Sequence, residues 1–128
     1  MINSVELEIV KMYITKSKQE RIIWELSNLK KRETIMIQRL VSPEVFEKSC
    51  MRLVEYMSPE KLKMYLFQLS RAKEVYYIGE DYIGQLSLDK ATMKANTGEV
   101  CIIYCGNGIG YYQGEQECGK PPRYLLQR

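Results

Sequence analysis

The sequence contains no histidine. That absence removes Ser-His-Asp and Cys-His arrangements, the usual general base near neutral pH, and every zinc site built on imidazole. Aspartate is nearly as scarce. Asp81 and Asp89 are the only two, so carboxylate clusters for magnesium or calcium are poorly supplied and no cofactor or metal is expected. No run approaches the roughly 18 apolar residues that a membrane span requires. Met1-Ile2-Asn3-Ser4 lacks the basic-then-apolar pattern of an export signal. The expectation is therefore a cytoplasmic protein away from membranes, with reduced thiols. Cys50, Cys101, Cys105 and Cys118 contain no C-x-x-C pair. Cys101 and Cys105 fall on one face of an apolar run and Cys50 on an apolar helical stripe, where each serves as a small hydrophobe.

What is present is an ordinary globular composition with one excess. The 128 residues suit one domain, 1–128, and the apolar fraction of 45% and charged fraction of 27% are average. The excess is tyrosine, with ten residues. Its amphipathic ring suits either a small core with wet edges or a contact surface. Charge is uneven. Residues 1–73 hold 14 Lys/Arg against 9 Asp/Glu, and residues 74–128 hold 5 against 7. The basic excess gathers at Lys16, Lys18, Arg21, Lys30, Lys31, Arg32 and Arg39, a patch able to steer an anionic partner.

Helical spacing dominates the first half. Val5 to Ile14 predicts a helix capped by Asn3 or Ser4, followed by a polar break at Thr15-Lys16-Ser17. A second helix begins near Lys18, with Ile22, Leu26 and Leu29 on one face. It either runs to Leu40 or breaks at Asn28–Lys31, and the pattern leaves both open. Ser42-Pro43-Glu44 and Ser58-Pro59-Glu60 each combine an N-cap, a proline suited to the first turn and an acid for the helix dipole. The first predicts a helix over 43–56, carrying Phe46, Cys50, Leu53, Val54 and Met57. The second predicts one carrying Leu62, Tyr65, Leu66 and Leu69.

The period then changes to that of strands. Glu74 to Ile78 predicts a strand closed by Gly79, and residues 80–85 a polar loop. Leu86 to Ala95 predicts a short helix. Glu99 to Cys105 is a strand apolar enough for burial on both faces, and Gly106-Asn107-Gly108 folds it onto Ile109 to Gln113. After a loop over 114–122, Tyr124-Leu125-Leu126 predicts a final strand at a sheet edge, open to pairing across a homodimer. The whole reads as α+β: four to five helices over 1–73, packed on a mainly antiparallel sheet of three to four strands over 74–128.

Few constellations carry chemistry. Gly106-Asn107-Gly108-Ile109-Gly110 mimics a phosphate loop, but a strand follows where a dinucleotide site needs a helix. Glu115 and Glu117, beside Lys120 and Arg123, are paired carboxylates without a nucleophile, and Cys118 is the one cysteine in a polar setting. A nucleic-acid role would rest on Lys30, Lys31 and Arg32, with Lys16, Lys18, Arg21 and Arg39, although the turn between helices 18–40 and 43–56 lacks the glycine of a helix-turn-helix. The surviving class is a non-enzymatic protein-binding protein, with an enzyme using these carboxylates or Cys118, and a nucleic-acid regulator, as alternatives. Candidate contact residues are Tyr111, Tyr112, Glu115, Glu117, Arg123, Lys30, Lys31 and Arg32, joined by Tyr76, Tyr77 and Trp24.

The stretch from Gly98 to Arg128, with Gly108-Ile109-Gly110-Tyr111-Tyr112-Gln113-Gly114-Glu115 and Arg123-Tyr124-Leu125-Leu126, resembles the C-terminus of a group of small bacterial proteins. Trp24-Glu25-Leu26 with Lys31-Arg32 extends the likeness to the first half. That group is similar to immunity proteins, so the resemblance implies binding and neutralising a toxin. It assigns no residue a role.

Overall fold

The computed structural model of the chain describes residues 3–28, 43–114 and 122–128. The first helix, α1 (Ser4–Tyr13), starts where Asn3 Oδ1 accepts the N–H of Glu6 at 2.8 Å. It buries Ile9, Val10 and Tyr13. The second, α2 (Lys16–Leu26), follows after Ile14 and Thr15 alone, so the expected three-residue polar break is shorter. Tertiary bonds fix that junction. Ile14 bridges Phe46, Thr15 N–H donates to Val45 O (2.9 Å), and Glu47 N–H donates to Tyr13 O (2.6 Å).

Those same bonds overturn the helix expected over 43–56. Pro43–Val45 and Lys48–Cys50 are single 3₁₀ turns, and Met51–Leu53 is a strand, β1. The second Ser-Pro-Glu tripeptide does start a helix, α3 (Pro59–Ser70), with Ser58 Oγ accepting Lys61 N–H at 3.3 Å. Two strands follow, β2 (Glu74–Gly79) and β3 (Ile83–Ser87), and then α4 (Leu88–Ala95). The loop expected over 80–85 is thus a hairpin, and α4 begins two residues later than expected. The rest is β4 (Cys101–Gly106), β5 (Ile109–Gln113) and β6 (Arg123–Gln127).

All six strands form one antiparallel sheet in the order β1-β6-β5-β4-β2-β3. The expected sheet of three to four strands is too small, because β1 carries helical spacing and β3 the polar composition of a loop, and only pairing with β6 and β2 makes them strands. Nor is β6 at the edge. It lies between β5 and β1, with Tyr112 opposite Tyr124 on one side and Arg52 opposite Leu125 on the other. The architecture is α+β, with four α-helices among the described residues, and the helical and sheet parts interleave.

The sheet is covered on both sides, which gives two cores. Ile78, Ile102, Tyr104, Tyr112 and Leu126 face Ile9, Val10, Tyr13, Ile22 and Leu26 of α1 and α2. The alternate residues Val75, Tyr77, Ile103, Tyr111 and Leu125 face Leu62, Leu66, Leu88, Ala91 and Ala95 of α3 and α4. Side chains alternate along a strand, so a sheet buried on both faces needs apolar residues at consecutive positions, as in Cys101 to Cys105. No described helix is long and apolar enough to cross a membrane.

Candidate functional sites

Two of the expected contact residues lie deep inside. Tyr111 is 2% exposed and Tyr112 is 0% exposed, one in each core. Tyr111 donates to Gln113 Oε1 (2.8 Å), while Tyr112 packs on Phe46 with ring centroids 4.6 Å apart. Both belong to packing, and the contact-surface expectation for them is corrected. Tyr77 is equally buried and Tyr76 half-buried. Trp24, on α2, is 62% exposed. Lys30, Lys31, Arg32, Arg39, Glu115, Glu117, Cys118 and Lys120 lie outside the described residues. Of the two courses left open for the helix from Lys18, an unbroken run to Leu40 is excluded, because α2 ends at Leu26 with Ser27 as its C-cap; beyond Asn28 the turn expected over 28–31 and the stretch to Leu40 lie outside the described residues.

Arg123 remains at the surface and marks a site that the pattern did not reveal. Its guanidinium lies 5.0 Å above the Tyr56 ring, and Tyr56 Oη donates to Asn96 Oδ1 at 2.8 Å. Beside it, Arg52 Nη2 donates to Tyr65 Oη at 3.1 Å. Leu53 stands between these groups in sequence and is 70% exposed; Tyr56 is 48% exposed. The backbone there is open as well among the described residues. Val54 N–H donates to Arg123 O (2.9 Å), which makes Arg52 and Val54 the positions bonded to β6. Leu53 N–H and C=O therefore point away from the sheet. The opposite edge differs. On β3, the outward carbonyl of Gln85 accepts the Tyr82 hydroxyl at 2.9 Å, which blunts that edge.

The thiols and buried acids complete the chemical inventory. Cys50, Cys101 and Cys105 are free and buried. Burial pushes the Cys101 thiol up to about 12 and the Cys105 thiol up to about 11, so both stay protonated near neutral pH and are weak nucleophiles. Tyr77 Oη donates to Glu99, and burial raises both groups above their ordinary values. Lys94 nearby pairs with Asp81 at 3.1 Å. Tyr13 carries a buried hydroxyl that finds no hydrogen-bond partner among the described residues. On the α1 face, Tyr76 donates to Glu6 (2.5 Å) and Tyr104 to Glu8 (2.7 Å), beside a groove of about 270 Å³.

The β1 surface was missed for a definable reason. Phe46, Cys50, Leu53, Val54 and Met57 fit helical spacing, which places Leu53 inside. The available counter-signal was slight: Arg52 sets one polar position between Met51 and Leu53, and the apolar Val54 ends the alternation at once. Compared with known protein families, with curated proteins and with solved structures, the chain matches none.

Proposed function

We propose that this chain is a non-enzymatic protein-binding protein that receives an extended segment of its partner along β1. The observation that carries the reading is Leu53, a large apolar side chain left 70% exposed on an edge strand where its outward backbone groups meet no partner among the described residues. A strand that adds to such an edge gains main-chain hydrogen bonds, and side-chain contacts supply specificity. The side chains on the opposite face of the same edge add to it. Tyrosine and arginine carry much of the energy in protein interfaces, and here Arg52 is held by Tyr65 and Arg123 by Tyr56 before any partner arrives. Neutralisation of a cognate toxin, which the resemblance to immunity proteins implies, is part of the same proposal.

The test is a tagged pull-down with the parent chain, Leu53→Asp and Tyr56→Ala, followed by affinity measurement on any recovered protein. Leu53→Asp is expected to weaken binding at least about 30-fold, the size of an interface hot spot. Far-UV circular dichroism should match the parent, because Leu53 supports neither core. A partner held equally well by the parent and by folded Leu53→Asp would remove β1 from the interface.

A further inference from the structure

We propose that the groove between the N-terminal half of α1 and strands β2, β3 and β4 binds an organic cation, an ammonium or guanidinium group the size of a lysine or arginine side-chain end. The site is independent of the β1 surface, since it lies at the other end of the strand order.

Three features converge on that ligand. The first is size. A volume of about 270 Å³ falls below the roughly 300–1,000 Å³ of pockets for drug-sized molecules, which suits a side-chain end rather than a nucleotide. The second is the chemistry of the walls. Glu8 comes from α1 and Glu74 from β2, Gln85 adds an amide from β3, and no lysine or arginine among the described residues lines the groove. The third is a tyrosine pair. Tyr76 and Tyr104 sit directly opposite each other on β2 and β4, and both line the groove.

The tyrosines are also prepared electronically. Each phenol donates its O–H in a hydrogen bond to a carboxylate, Tyr76 to Glu6 at 2.5 Å and Tyr104 to Glu8 at 2.7 Å. A donated O–H leaves the ring richer in electrons and better matched to a cation beside it. A hard metal ion is a poorer fit, because it wants six or more oxygen ligands in one shell. Here two aromatic rings share the lining with the carboxylates. The backbone leaves room too: a β-bulge between Tyr104 and Gly106 sets the rim, and a Cβ added to Gly106 would meet nothing within 4 Å.

The experiment is a titration of the ¹⁵N-labelled full chain, followed by amide shifts. The probes are blocked lysine amide and blocked arginine amide, free spermidine, and blocked Nε-acetyl-lysine amide as an uncharged control. Saturable shifts at Val5, Glu8, Tyr76 and Gln85 are expected with the charged probes and not with the acetylated one. Glu8→Gln and Glu74→Gln are each expected to weaken binding about five-fold, in the range of a partly exposed ion pair. High salt should weaken it further. Tighter binding of the blocked amides would identify a side chain of a macromolecular partner as the source, and tighter binding of spermidine a free polyamine. Equal shifts from the acetylated control, or no saturable shift from any probe, would overturn the proposal without recourse to a variant. Unchanged affinity in both folded glutamine variants would do the same. Neither substitution touches β1, so this result and the partner test fail separately.

Discussion

Tyrosine in this chain acts according to what its hydroxyl meets. Tyr111 and Tyr112 are neighbours that point into opposite cores, and a two-residue pattern cannot show that both sheet faces are covered. Tyr77 instead meets an acid, Glu99, whose carboxyl is raised above its ordinary value first by burial and then by the nearby Asp81 and Glu80 charges. That shift has a sign. A carboxyl that holds its proton more tightly when folded contributes stability fully below its unfolded pKa, about 4.3, and loses it as pH rises through the higher folded value. Glu99→Gln abolishes the titration and keeps an oxygen to accept the Tyr77 hydroxyl. The parent is therefore expected to lose stability relative to Glu99→Gln as pH rises from about 4 towards neutrality. Urea midpoints of both proteins at each end of that range would show it. A parent that gains stability relative to Glu99→Gln as pH rises would contradict the assignment.

At the scale of elements, one tripeptide occurs twice and yields two outcomes. Ser58-Pro59-Glu60 starts α3, whose far end is closed by Arg71 in a left-handed conformation with φ 61°. Pro43-Glu44 yields only a 3₁₀ turn. The difference lies outside the local sequence. Val45 O and Glu47 N–H are taken by Thr15 and Tyr13 at the α1–α2 junction, and β6 captures Met51 to Leu53. Local chemistry makes a helix available, and distant hydrogen bonds decide whether it grows. The hairpin at Gly106-Asn107-Gly108 was legible because its cause is local: all three residues have positive φ, which glycine and asparagine tolerate best. β3 was not legible, because Gly84 and Gln85 interrupt its apolar residues and β2 supplies its order. Where the cap does act alone its worth can be measured. Ser58→Ala is expected to cost about 1 kcal/mol in urea unfolding. A loss under about 0.3 kcal/mol would mean that packing of Leu62 and Leu66, rather than the cap, sets the start of α3.

For the whole molecule, the consequence of burial on both sheet faces is mechanical coupling between the two cores. β4 and β5 contribute alternate side chains to each, so neither core can loosen without freeing strands that the other needs. No single segment of sequence contains that fact. It arises from the strand order, and with it the β1 edge and the α1 groove come to lie at opposite ends of one rigid sheet. The coupling predicts how damage spreads. Leu66 on α3 is fully buried in the core beneath α3 and α4, with no contact to the α1 core. Leu66→Ala should cost about 2–5 kcal/mol, the range for a buried leucine replaced by alanine. If the cores are coupled, that cost reaches the far face. Slowly exchanging amides in α1, such as those of Val10 and Tyr13, should lose protection by the same free energy as the global urea transition, which should stay single. Amides of α1 that keep their parent protection while α3 and α4 lose theirs would show two cores that unfold independently, and the sheet would then be a shared wall without being a shared unit of stability.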